Sequence, residues 1–130
     1  MRVFLGGTCN ESTWRQRLIK KLKIDYFNSV VDDWNEEAYQ RELIERKRCD
    51  FVLYTVTPKM TGVYSIAEVV DDSNKRPEKA IFCILREDDG LKFTDGQMRS
   101  LMRVAHMVKN NGAKVFYNLG EVAKYLNKFV

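Results

Sequence analysis

No uninterrupted apolar run in this chain approaches the roughly 18 residues of a membrane span. The N-terminal Met1-Arg2-Val3-Phe4-Leu5 passes straight into Gly6-Gly7, without the apolar centre of a secretory signal. A cytoplasmic protein with no membrane partner is therefore expected. Cysteine is sparse: Cys9, Cys49 and Cys83 are an odd number at wide intervals, which suits neither a disulfide framework nor a metal site. They read as reduced thiols, Cys83 as core within the apolar run 80–85 and Cys9 in a loop with nothing nearby to activate it. The single histidine, His106, lies in a helix-like segment with no partner motif. Neither a G-x-G-x-x-G dinucleotide fingerprint nor the Gly-Lys-Ser/Thr of a P-loop is present. Internal repeats, linkers and low-complexity tracts are also missing.

What remains is an ordinary globular composition. The 130 residues, 45% hydrophobic, 12% aromatic and 31% charged, suit a single domain over residues 1–130 with a real core. The net charge of +4 is mild. Its densest clusters, Lys20-Lys21-Leu22-Lys23 and Arg46-Lys47-Arg48, each close a helical segment, where cations complement the macrodipole. Both read as solvated helix ends rather than a nucleic-acid footprint, which would need a basic stripe with interleaved base readers.

Apolar, β-branched runs alternate with helix-period segments along the whole chain. Strands are expected at 2–5, 23–27 or on to 31, 50–56, 80–85 and 114–117, and helices at 13–22, 36–47, 64–73, 94–110 and 119–128. Short strands separated by helices imply a parallel sheet with right-handed crossovers. The expected fold is a doubly wound, flavodoxin-like α/β domain. Its five strands would run in the order 2-1-3-4-5, with helices on both faces and a ligand crevice beside strands one and three.

The segments leaving the first three strands should line the crevice. After strand one, Gly6-Gly7-Thr8 lets backbone approach a ligand closely. Beyond strand two, Asp32-Asp33-Trp34 combines carboxylates with a flat aromatic, suited to sugar hydroxyls and a base, or equally to a helix cap and a core Trp. After strand three come Thr61, Gly62, Tyr64, Ser65 and Glu68, which place a carboxylate in the first turn of a helix. A Ser three residues before a Glu is also the spacing of a capping box, so Glu68 has a structural reading beside the functional one. A phospho-receiver domain would carry an acidic pair after strand one and a Lys after strand five, and neither is there. Acids and small donors without a Cys-His pair or metal ligands suit attack at an anomeric carbon, one carboxylate as nucleophile and another acid assisting.

Over residues 2–85 the chain resembles the nucleoside 2-deoxyribosyltransferase-like family, which includes nucleoside deoxyribosyltransferases and related nucleotide N-glycosidases. The resemblance rests on Val3-Phe4-Leu5-Gly6-Gly7-Thr8 with Trp14-Arg15, on Val31-Asp32-Asp33-Trp34 with Tyr39-Gln40-Arg41-Glu42, and on Cys49-Asp50-Phe51-Val52-Leu53-Tyr54 followed by Gly62 and Ser65-x-x-Glu68. It implies that Glu68 is the nucleophile that takes the sugar and that Glu42 is the assisting acid. Gly6, Gly7, Thr8, Trp14, Asp33, Trp34, Gly62, Tyr64 and Ser65 would bind substrate, Ser65 near a 5′-phosphate or 5′-hydroxyl. Metal and cofactor would not be required. Relatives often complete the pocket with a neighbouring subunit, which implies a homodimer, and Tyr39, Leu43 and Met102 are spare residues on helices suited to pairing. Three departures are visible. Gly62 precedes Glu68 by six positions where many members have four, which either lengthens the loop or puts Tyr64 where a Gly is common. Asn28-Ser29 stands in the region that often carries a Pro, and the assisting acid is a Glu where Asp is usual.

Three functions are compatible with these residues. The first is an enzyme that cleaves or exchanges the N-glycosidic bond of a nucleoside or nucleotide. The second is a non-catalytic protein that senses or sequesters a nucleotide in the same pocket. The third is an interaction module whose acids only cap helices.

Overall fold

A computed structural model describes residues 1–30 and 35–130. In chain order the elements are β1 (Arg2–Gly7), α1 (Trp14–Ile19), β2 (Asp25–Asn28), α2 (Glu36–Arg48), β3 (Phe51–Val56), α3 (Tyr64–Lys75), β4 (Ala80–Ile84), β5 (Glu87–Asp88), β6 (Leu91–Lys92), α4 (Asp95–Asn110), β7 (Lys114–Phe116) and α5 (Leu119–Leu126). The main sheet is parallel and ordered β2-β1-β3-β4-β7, which is the expected 2-1-3-4-5 once the separate β5–β6 hairpin is set aside. It is a doubly wound α/β sheet. The chain leaves β1 for one side and β3 for the other, so the carboxyl ends of these neighbours flank the switch point where such folds bind ligands.

Strand residues alternate strictly between the two faces, as the twofold strand period requires. Val3, Leu5, Leu53, Ile81 and Cys83 pack with Trp14 and Leu18 of α1 and Val122 and Leu126 of α5. Phe4, Val52, Tyr54, Val56, Phe82 and Ile84 pack with Val69 of α3 and Leu101, Ala105 and Val108 of α4. Because both faces are covered, β3 and β4 are buried at every position, which explains their continuous apolar runs. Cys49 and Cys83 are buried, and burial pushes their thiols up to about 11 and about 12, so both stay protonated. Cys9 is exposed and His106 lies on the exposed face of α4.

Helix boundaries follow local chemistry. Thr94 accepts from the Gln97 backbone N–H while the Gln97 side chain accepts from the Thr94 N–H, a complete capping box. Asn35 and Asn118 cap α2 and α5 in the same way with one bond each. No helix of the described residues is long and apolar enough to cross a membrane.

The hairpin was not expected from the sequence. Asp89 and Gly90 both take positive φ, 51° and 81°, as a two-residue turn of the Asp-Gly kind demands. It ties down the two loops beside the crevice. Asp88 is buried and accepts from the Ser12 hydroxyl at 2.5 Å and from Arg17 at 3.4 Å, while Asp89 pairs with Lys59.

Candidate active site

Gly7 is where β1 must bend away from β3. Its φ is +117°, and a Cβ there would land on the Thr55 backbone carbonyl, so no other residue fits. The bend is held by Thr8, whose N–H donates to the Thr55 carbonyl at 2.9 Å and whose hydroxyl accepts from the Thr57 N–H at 3.0 Å. Across the gap, the Asn10 amide donates to the Lys59 carbonyl at 2.9 Å and to the Thr61 hydroxyl at 2.8 Å. These bonds join the loops after β1 and β3 into the rim of a cavity of about 710 Å³. The loops supply Gly7, Thr8, Cys9, Asn10, Met60, Thr61 and Gly62; Ser29 and Val30 follow β2, and α1 contributes Arg15. Helix α2 adds Tyr39 and Glu42, and the first two turns of α3 add Tyr64, Ser65 and Glu68.

Helical spacing explains which side chains meet. Tyr39, Glu42 and Arg46 stand three and four residues apart on one face of α2, and Ser65, Glu68 and Asp72 do the same on α3. The two faces are opposed. Arg46 donates through Nε to Asp72 Oδ2 at 2.9 Å and through Nη2 to Asp72 Oδ1 at 3.1 Å, to Asp71 Oδ2 at 3.0 Å and to the Glu68 carbonyl at 3.4 Å. Its Nε also lies 3.9 Å from Glu68 Oε2. Asp72, fully buried, also accepts from the Tyr54 hydroxyl at 2.5 Å and forms an ion pair with Arg76 at 3.2 Å. Burial works against the Arg46 charge, but the Asp72 bond and the surrounding acids outweigh it and raise its pKa. Burial likewise keeps the Tyr54 phenol protonated, as a donor must be.

Glu68 is 7% exposed and forms part of the cavity wall. Burial pushes its carboxyl up to about 7; Arg46 opposes this, and the like charges of Glu42 and Asp72 add to it. At neutral pH the group is divided between its charged and uncharged forms. Arg15, also buried, donates to the carbonyls of Leu5, Gly7 and Thr8 at 3.2, 3.3 and 2.6 Å. Burial lowers it to about 10, with Cys9 and Glu42 opposing, so it remains a cation in the wall. The Tyr64 hydroxyl is raised, first by its hydrogen bond with Tyr39. Among the described residues no group of three or more His, Cys, Asp or Glu is arranged to hold a metal.

Of the residues expected from the sequence, Gly7, Thr8, Glu42, Gly62, Tyr64, Ser65 and Glu68 line one cavity. Glu68 lies deep in the wall, 7% exposed. Gly6 is not in the lining; a Cβ there would sit 2.8 Å from the Tyr54 ring, so its bare backbone makes room for Tyr54 rather than for a ligand. Trp14 is fully buried in the core, its indole N–H donating to the Thr8 carbonyl at 2.7 Å, and it shapes the loop from behind. Asp33 and Trp34 lie outside the described residues. The capping box at Ser65 and Glu68 does not form: Val63 is the N-cap and no side chain caps α3.

The basic cluster at the end of α2 divides. Lys47 and Arg48 are exposed as expected, whereas Arg46 is buried against the acids of α3. Arg15, Asn10, Tyr54 and Asp72 also went unassigned in the sequence. The available signal was register: Arg46 follows Glu42, and Asp72 follows Glu68, by one helical turn.

A family model described as nucleoside 2-deoxyribosyltransferase like matches residues 1–88, which include every residue of the cavity lining and the Arg46–Asp72 pair. No curated protein matches the chain. With more than half of its length covered, and with a parallel sheet whose crevice carries two carboxylates from facing helices, the chain belongs to the nucleoside 2-deoxyribosyltransferase-like family.

Proposed function

We propose that this single domain cleaves or exchanges the N-glycosidic bond of a nucleoside or nucleotide, with Glu68 as nucleophile and Glu42 as the assisting acid. The observation that carries this is the placement of both carboxylates in the wall of one switch-point cavity, Glu68 backed by a buried cation. A Glu68 oxygen bonds to the anomeric carbon as the bond from that carbon to the base nitrogen breaks, and the electron pair leaves with the base, which takes its proton from Glu42. Water or a second base then displaces Glu68 from that carbon, giving its proton to the Glu42 carboxylate, and frees the Glu68 carboxylate. Gly7, Gly62 and the backbone at the start of α3 leave room for the sugar and its 5′ substituent beside Ser65.

The test is incubation with a panel of nucleosides and nucleotides, read as free base by chromatography. Turnover of at least one member supports the proposal. Tight binding across the panel with no turnover would leave a sequestering protein on the same fold. Only ionised Glu68 attacks, so kcat/KM should rise about tenfold per pH unit on the acid side and level off once Glu68 is ionised. The bend belongs near the pKa of about 7 that burial gives this carboxyl. A profile flat across roughly pH 5 to 8 would count against Glu68 as the attacking group.

We expect a homodimer whose partner closes the cavity mouth. Tyr64 and Met102 are exposed, 55% and 39%, on α3 and α4, whereas Tyr39 and Leu43 are half-buried. Light scattering at micromolar concentration should return twice the chain mass of 15.3 kDa. A strictly monomeric mass would refute it.

A further inference from the structure

Glu68 presents a physical problem that the cavity lining does not solve. A carboxylate 7% exposed, with Glu42 on the facing helix and Asp72 one turn along its own, should be neutral and poorly nucleophilic. The compensating group is Arg46, which is not among the described residues lining the cavity. It reaches Glu68 from behind, with Nε 3.9 Å from Oε2.

We propose that Arg46 is a positioning residue for Glu68, clamped on Asp72 and Asp71 so that its guanidinium backs the carboxylate, balances its charge and holds it towards the cavity without touching substrate. This rests on Glu68 being the nucleophile. The clamp is specific to arginine. Nε and Nη2 grip the two oxygens of Asp72 side by side, and Nη2 also holds Asp71 and the Glu68 carbonyl. Asp72 is in turn fixed by Tyr54 from β3 and by Arg76 from the end of α3. Arg76 closes the ring by donating to the Arg46 carbonyl at 3.2 Å. The guanidinium therefore has no freedom to swing into the cavity, and only its edge is left for Glu68.

The groups that bear on Glu68 among the described residues are Arg46 and Glu42 from α2, Asp72 and Tyr64 from α3, and Tyr54 from β3. Arg46 is the one cation in that set. A purely structural buried pair would hold α2 to α3 and leave the ionisation of Glu68 unaffected. A positioning residue changes it.

The decisive experiment tracks the side-chain carboxyl carbon of Glu68 by NMR in protein labelled at glutamate, assigned by the resonance lost in Glu68→Gln. Arg46→Met should move the Glu68 midpoint up by about one pH unit or more, because the favourable charge is removed and the burial kept. Arg46→Lys, which keeps the charge and loses the fork, should stay much closer to wild type. If Arg46→Met alone fails to fold, Arg46→Met with Asp72→Asn removes the buried pair together. The midpoint should still rise there, since the guanidinium 3.9 Å from the Glu68 carboxylate is lost while the burial is kept. A folded variant with a lowered melting temperature and an unmoved midpoint overturns the proposal. The titration needs no turnover, so it judges Arg46 even if no nucleoside is cleaved. Where base release is measurable, its acid limb should move upward by the same amount.

Discussion

Glu68→Gln is expected to lower base release by on the order of 10⁴-fold or more, because the amide cannot form the glycosyl ester. Glu42→Gln should cost less, about 10²–10⁴-fold, the usual scale for losing an assisting acid. The fold should survive the Glu68 change and even gain from it at alkaline pH. The folded carboxyl titrates near about 7, against 4.5 for an ordinary glutamate. Below the lower value both states are protonated and nothing is lost. Between the two values the folded protein holds the extra proton, so wild-type stability falls as pH rises, and above the higher one the full cost of a buried charge is present. Glutamine never ionises and escapes that cost. The variant should therefore be more stable at pH 8, by at most about 3 kcal/mol, with the difference closing near pH 4. Paired thermal melts and base-release assays check both halves. Base release near the wild-type rate in Glu68→Gln would sink the mechanism.

Asp72→Ala is expected to cost about 3–5 kcal/mol, the scale on which removing one partner of a buried ion pair leaves the other uncompensated. Asp72 is fully buried, accepts from Arg46 and Tyr54, and forms an ion pair with Arg76. Its loss would take the bidentate partner from Arg46, leaving the guanidinium on Asp71 and the Glu68 carbonyl, and would deprive the buried Tyr54 hydroxyl of its acceptor. Against a typical domain stability of about 5–15 kcal/mol this is a large fraction. Asp72→Asn keeps one acceptor and should cost less, and Tyr54→Phe only about 1 kcal/mol, the net worth of one hydrogen bond. Urea unfolding followed by circular dichroism measures all three. Salt should change the result little, since buried pairs are weakly screened. A cost below about 1 kcal/mol for Asp72→Ala would mean that water satisfies the cluster.

The two sets of variants separate two kinds of acid on one helix. Glu68 and Asp72 differ by a single turn of α3 and are both buried. Asp72 is matched by two arginines and a phenol, whereas Glu68 has Arg46 at 3.9 Å and an open cavity on its other side. Stability resides in the first and reactivity is proposed for the second.

The strand and helix order, the parallel sheet and the crevice edge were legible in the sequence because each depends on short-range signals. Short continuous apolar runs such as Phe51–Val56 mark strands buried on both faces, 3.6-residue periods mark helices, and Asn, Thr and Gly mark their ends. Gly7 and Glu68 could be placed on the cavity because Gly7 closes β1 and Glu68 stands near the start of the helix that follows β3, so chain connectivity carries both to the carboxyl edge. The hairpin could have been read from its Asp89-Gly90 turn, but its strands are only two residues each and carry almost no pattern. What only the tertiary structure decided is which polar groups are buried and against what. Arg46 belongs to a basic run that looks solvated, yet it is buried because its side chain reaches across to α3 and pairs with Asp72, 26 residues away. Gly6 and Trp14 looked like ligand contacts until the packing of Tyr54 and of the β1–α1 loop gave them structural work. Burial and charge compensation are set by neighbours distant in the chain, so composition and local period determine the elements, and only packing determines the environment of the charges.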